Sequence, residues 1–161
     1  PIFIAPEIVL NKGHDKSADI WSLGVLIYEM VYGTNPFFDY DDPNIDQKTL
    51  FKRIISGNFH FPKHTKAHVS DDAKDIMTKM LKVNVHERLG CLAGADLDLR
   101  AHPWFKEIDW GMLYRKEMKA PWVPTIKSPF DGENFAKWEE EDKHKLKKLS
   151  DKEQAHFKKF C

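Results

Sequence analysis

The run DIWSLGVLIYEMVYG at residues 19–33 constrains this chain more than any other stretch. It is apolar over nearly its whole length yet too short to cross a bilayer, which takes about 20 predominantly apolar residues. A helix inside a globular domain is the element it predicts. Ile20, Trp21, Leu23, Val25, Leu26, Ile27, Tyr28, Met30 and Val31 fall on nearly every side, so the expectation is a helix surrounded by protein rather than one lying on a surface. Gly33 supplies a stop and Asn35-Pro36 prevents continuation. Two acids interrupt the run. Asp19, in the first turn, is predicted to cap the helix, where backbone N–H groups and the dipole favour a carboxylate. Glu29 sits in the second half, where a carboxylate must be paired, hydrogen-bonded or led out to the surface.

Helical patterning continues downstream. In residues 46–56, Leu50, Phe51, Ile54 and Ile55 share one stripe before Gly57. Ser70 is a natural N-cap, Asp71 and Asp72 favour the first turn after it, and Ala73, Ile76, Met77, Met80 and Leu81 recur at helical spacing. The methionines read as core filler, not ligands. A short helix over 96–101 precedes His102-Pro103-Trp104-Phe105, where Pro103 ends it. No alternating strand pattern and no internal repeat is visible, so the predicted fold class is mainly α.

A chain of 161 residues that is 42% hydrophobic is long enough for one domain with a sizeable core. The balance of 25 Lys+Arg against 25 Asp+Glu gives no general reason to expect nucleic acid or an anionic membrane as partner. Cys91 and Cys161, far apart, fit a reducing, cytoplasmic setting and read as inert. The opening PIFIAPEIVL carries neither a basic n-region nor an initiator Met, and no signal peptide is expected.

From Lys119 the character changes. Pro121, Pro124 and Pro129 favour an extended path and Gly132 adds a turn. An acidic run at 139–142 and a basic one at 143–148 follow, and by composition alone they form a solvated linker with a short helix. Ser150 and Glu153 are spaced as a capping box opening that helix.

Four separated patterns then coincide in order: Ala5-Pro6-Glu7, Asp19-Ile20-Trp21-Ser22-Leu23-Gly24, His86-Glu87-Arg88-Leu89-Gly90 and His102-Pro103-Trp104-Phe105. Together they resemble the second half of a eukaryotic protein kinase, from the end of the activation segment through the C-lobe helices. Asn134-Phe135 followed by Trp138-Glu139-Glu140-Glu141, and the terminal Phe157-Lys158-Lys159-Phe160, resemble the tail of the AGC group. GVLIYEM, ISGNFHFP and KAPWVP look most like the cyclic-AMP-dependent kinases, with the cyclic-GMP-dependent kinases as near alternative. The resemblance implies three regions: 1–17, the end of the activation segment; 18–118, the helical C-lobe; and 119–161, the tail.

The resemblance also implies roles. Asp19 would hold the catalytic-loop backbone, as a positioning residue in a motif shared with Trp21. Glu29 would pair with a basic residue two positions before the phosphoacceptor, a charge-assisted contact suited to arginine. Glu7 and Arg88 would form a largely buried structural ion pair. Pro1 and Ile4 would line the apolar pocket for the residue after the phosphoacceptor, or simply pack as a loop. Ile2 replaces a family Glu that helps bind basic substrates, and Phe3 replaces Tyr. Phe135 resembles the aromatic that covers adenine, and Trp138 stands where relatives place Tyr. Phe157 and Phe160 would dock on the ATP-binding N-lobe, with packing elsewhere as the alternative. Ser150, preceded by Lys147-Lys148-Leu149, is a candidate phosphosite compatible with its cap.

Phosphoryl transfer by such a kinase needs a Gly-rich loop, a strand Lys paired with a helix Glu, a His-Arg-Asp loop and an Asp-Phe-Gly metal ligand. None is in these residues. The expectation is therefore no catalytic residue and no metal ligand within this chain, which alone would be inactive and without its N-lobe. ATP and Mg2+ belong to the complete kinase. Its partners would be its own N-lobe, basic protein or peptide substrates, and a cyclic-nucleotide-binding regulatory subunit or segment. The rival reading is a non-catalytic, kinase-derived binding or scaffold module. The acidic stretch 39–46, longer than in relatives, reads as a solvated loop or a partner site.

Overall fold

In a computed structural model, residues 2–38, 45–62, 68–136 and 148–158 are described below. The chain divides into two compact units, Pro1–Met118 and Lys119–Cys161. Among the described residues every regular element is helical.

Helix α1 (Pro6–Val9) opens with proline at its first position, where the missing N–H costs nothing. Helix α2 (Ser17–Tyr32) is the long apolar one and ends at Gly33, whose left-handed φ of 73° lets its N–H reach the Glu29 carbonyl at 2.7 Å. The short polar helices follow their caps. Asp46 accepts from the N–H groups of Lys48 and Thr49 to start α3 (Gln47–Ser56), and Ser70 accepts from Ala73 N–H to start α4 (Asp71–Met80). Then come a 3-10 turn at Val85–Glu87, α5 (Asp96–Arg100), a second 3-10 turn at Pro103–Phe105 and α6 (Trp110–Tyr114). Pro103 thus begins a turn, while α5 has already ended before it.

Helix α2 organises two apolar clusters. Trp21 and Val25 pack with Phe37, Leu50, Ile54 and Leu81, and Ile27 and Tyr28 pack with Ile76, Met77, Met80 and Leu89. Met77 and Met80 fill that second cluster as buried side chains. Helix α4 comes so close to α2 that a Cβ at Gly24 would lie 3.0 Å from Met80 Cβ, which only glycine avoids.

Two sequence expectations fail on this helix. It is not enclosed on all sides: Asp19, Leu23, Leu26 and Met30 form one exposed stripe, with Met30 76% exposed. Hydrophobic count does not fix burial, because the neighbours packed on α2 cover only part of its circumference. Nor is Asp19 the cap. The helix begins two residues before it, at Ser17, whose N–H donates to Asp15 Oδ1 at 2.8 Å, so Asp15 takes the terminal donor.

In the second unit, Lys127 pairs with Glu133 at 2.7 Å and Asn134 Nδ2 donates to the Thr125 carbonyl, closing residues 125–134 into a local loop. Helix α7 (Asp151–Ala155) opens with the Ser150–Glu153 capping box.

Candidate functional site

Two glutamates from the opening motifs end up in contrasting environments. Glu7 lies in α1, and the chain returns 81 residues later to place Arg88 against it. The guanidinium forks onto the carboxylate, Nη1 to Oε1 at 2.8 Å and Nη2 to Oε2 at 3.0 Å. Its other donors reach the carbonyls of Lys82, Ser17 and Val83, so all of the guanidinium N–H groups are used. The Ser17 hydroxyl donates to Glu7 Oε1 at 3.1 Å, and the Arg88 Cζ stands 5.2 Å from the centre of the Trp21 ring. Arg88 is 0% exposed. Burial pushes the Glu7 carboxyl up, but the Arg88 hydrogen bonds and charge, a backbone N–H and the Ser17 hydroxyl together hold it below the ordinary value of 4.5. Trp21 itself is fully buried and stacks on Phe37 at 5.5 Å.

Glu29 occupies the last turn of α2 and is only half-buried. It lines an open cavity of about 440 Å³ with Gly33, Thr34, Asn35 and Phe38. Its Oε1 accepts from Asn35 Nδ2 at 3.0 Å, and the same amide nitrogen donates to the Ile2 carbonyl at 3.2 Å. The segment entering α1 is thereby tied to the end of α2. Ser22 Oγ adds a second tie, donating to the Phe3 carbonyl at 2.9 Å. Ile4 is half-buried and Ala5 fully buried on the same segment, and Ile2, Phe3 and Ile4 pack against the first apolar cluster. Glu29 thus lines an open cavity with one carboxylate oxygen held by Asn35 and the other without a partner among the described residues.

Asn35 is the residue that sequence reasoning missed, having taken it only as part of a helix stop. A signal exists: an Asn whose Oδ1 accepts from the N–H two residues on, here Phe37 at 3.0 Å, is a turn former, and turns after a helix bring side chains back onto its last turn. Ser17, whose hydroxyl meets Glu7, had no sequence signal of its own.

Other predicted residues are not assembled here. Asp19 is exposed, and its carboxylate makes no hydrogen bond among the described residues. Phe135 is exposed, and Phe157 follows α7. Ser150 is engaged by Glu153, its N–H and Oγ both donating to Glu153 Oε2. Pro1, Trp138, Phe160, Cys161 and most of the acidic stretch, at 39–44, lie outside the described residues. Among the described residues no group of three or more His, Cys, Asp or Glu side chains is placed to hold a metal ion. No described helix is long and apolar enough to cross a membrane.

A model of the protein kinase domain matches residues 1–105. The chain is 36% identical over 160 residues, 99% of its length, to the human cAMP-dependent protein kinase catalytic subunit PRKX, of which it covers 42%. It is 38% identical over 142 residues, 88% of its length, to the cAMP-dependent protein kinase catalytic subunit of Dictyostelium discoideum, covering 20% of that protein. With catalytic subunit 3 of Drosophila melanogaster it shares 35% identity over 160 residues, 99% of this chain and 26% of that one. It thus spans less than half the length of these relatives. With the kinase domain model matched across both glutamates and Arg88, the chain belongs to the protein kinase family.

Proposed function

We propose that this chain is the helical C-lobe and tail of an AGC-group Ser/Thr kinase of the cyclic-nucleotide-dependent type, and that Glu29 is its receptor for a basic residue two positions before the phosphoacceptor. The observation that carries this reading is the Glu29 carboxylate lining an open cavity, with one oxygen held by Asn35 and the other without a partner among the described residues. A cation there gains a charge-assisted bond that a neutral side chain does not. The complete kinase would supply ATP and Mg2+ chemistry from residues outside this chain, and the exposed stripe of Asp19, Leu23, Leu26 and Met30 is the surface on which they would pack. In that assembly Asp19 positions catalytic backbone, Pro1 and Ile4 border the subsite after the phosphoacceptor, Phe135 and Trp138 lie at the nucleotide, and Phe157 and Phe160 dock on the N-lobe. Ser150 is its tail phosphosite, the enzyme is cytoplasmic, and a cyclic-nucleotide-binding subunit or segment regulates it.

The test compares the complete kinase with its Glu29→Gln variant on two peptides carrying Arg or Ala two positions before the acceptor Ser. The Arg preference in kcat/KM should fall by about tenfold or more, the size of a hydrogen bond to a charged group. An unchanged preference would assign the basic residue to another acid. A complete protein that neither binds ATP nor phosphorylates any peptide would leave the scaffold reading in its place.

A further inference from the structure

Asn35 is 3% exposed, and both polar atoms of its side chain are engaged. Its orientation is settled by chemistry: the Phe37 N–H can only donate, so Oδ1 faces it, and Nδ2 must face the two acceptors, Glu29 Oε1 and the Ile2 carbonyl. A buried amide fixed at three points holds what it touches.

Glu7 shows what a carboxylate held in this way can still bind. Its Oε1 accepts from the Ser17 hydroxyl at 3.1 Å and from Arg88 Nη1 at 2.8 Å, while its Oε2 accepts from Arg88 Nη2 at 3.0 Å. Each carboxylate oxygen has room for two donors, so one neutral donor and one arm of a guanidinium share Oε1. At Glu29 the neutral donor is already in place, Asn35 Nδ2 on Oε1 at 3.0 Å, and no described residue takes the positions of the two guanidinium arms. Gly33, Thr34, Asn35 and Phe38, which line the cavity with Glu29, supply no cation to fill them.

We infer that Asn35 is a positioning residue for arginine selection: its amide stands to Glu29 as the Ser17 hydroxyl stands to Glu7, fixing the carboxylate so that a substrate guanidinium can fork onto both oxygens. This rests on Glu29 being the substrate acid. A fork needs both oxygens in a set plane, whereas a lysine ammonium is a point charge that bonds to either oxygen in any plane. A carboxylate left free must be immobilised when the guanidinium binds. Asn35 removes that cost beforehand, because it is itself held by the Ile2 carbonyl and the Phe37 N–H. Its contribution therefore falls on arginine and hardly on lysine.

The experiment measures kcat/KM of the complete kinase on three peptides differing only two positions before the acceptor, with Arg, Lys or Ala. Wild type, Glu29→Gln, Asn35→Ser and Asn35→Asp are compared, with a thermal melt of each. Serine and aspartate both keep an oxygen for the Phe37 N–H, but serine is too short to hold Glu29 and aspartate cannot donate to it. Wild type should prefer Arg over Lys by about tenfold or more, the size of one further hydrogen bond to a charged group. In both Asn35 variants that ratio should shrink to about threefold or less, through a higher KM for the Arg peptide. If Glu29→Gln leaves the preference for basic peptides intact, the substrate-acid reading fails and this inference falls with it. If Glu29→Gln abolishes that preference while a folded Asn35 variant keeps the wild-type Arg-to-Lys ratio, or slows all three peptides equally, Glu29 keeps its role and the inference is overturned. It is overturned too if wild type favours Arg over Lys by less than about threefold. Failure of both Asn35 variants to fold would likewise overturn it, by making Asn35 a residue of the fold.

Discussion

Glu7 and Glu29 are the same side chain, each near an end of a short motif, and each bonded to a neighbour at about 3 Å. Around Glu7 every partner is internal: a forked guanidinium, a serine hydroxyl and a buried aromatic face behind the arginine. Around Glu29 one oxygen is held and one is not, and the surroundings open to a cavity. A carboxylate whose two oxygens are both engaged by its own chain becomes a strut, because any ligand must compete with bonds already made. One with a vacant oxygen at a surface can exchange water for a ligand at little cost.

Breaking the strut should have the largest effect. Arg88→Met removes every bond to the guanidinium and leaves Glu7 buried without its cation, so it should cost about 3–5 kcal/mol in urea unfolding. Adding Glu7→Leu should recover much of that, since an apolar pair leaves no uncompensated charge, and the double variant should fall well short of the summed single costs. Equal additivity would mean that the pair does not act as a unit.

Acid sharpens the contrast. The folded Glu7 value lies below 4.5, so its contribution is present at neutral pH and is lost as pH falls below 4.5 through the folded value. Stability measured from pH 6 downward should drop more steeply in the wild type than in Glu7→Gln, the two curves converging at the acid end. Parallel curves would place the acid sensitivity on other carboxylates.

The smallest effect is expected at the open site. Glu29→Gln keeps an oxygen for Asn35, and its unfolding free energy should stay within about 0.5 kcal/mol of wild type. A loss approaching that of Arg88→Met would make Glu29 a second strut and dissolve the comparison.

The local elements were legible because their causes are local. Ser70 and Ser150 cap the helices that follow them, and Gly33 and Gly57 stop α2 and α3 in left-handed conformations; the Asp46 cap on α3, equally local, was passed over. Glu7 and Arg88 were readable as partners through the family motifs, although nothing in their spacing of 81 residues required it. The cap on α2 was misread because Asp19 and Asp15 both lie near the helix start, and only the backbone path decided which one meets a free N–H.

By itself the sequence determined a helical chain, the caps at Ser70 and Ser150, the glycine stops, and an acid, Glu29, set in an apolar run. The tertiary structure alone decided which side of α2 is covered, and that Asn35 reaches both Glu29 and Ile2. Periodicity states how apolar residues are spaced around a helix, whereas burial depends on which neighbours the folded chain brings to each face. The last turn of α2 thus meets the segment before α1 only because the chain beyond Gly33 doubles back, at a point where one buried amide can bond to both.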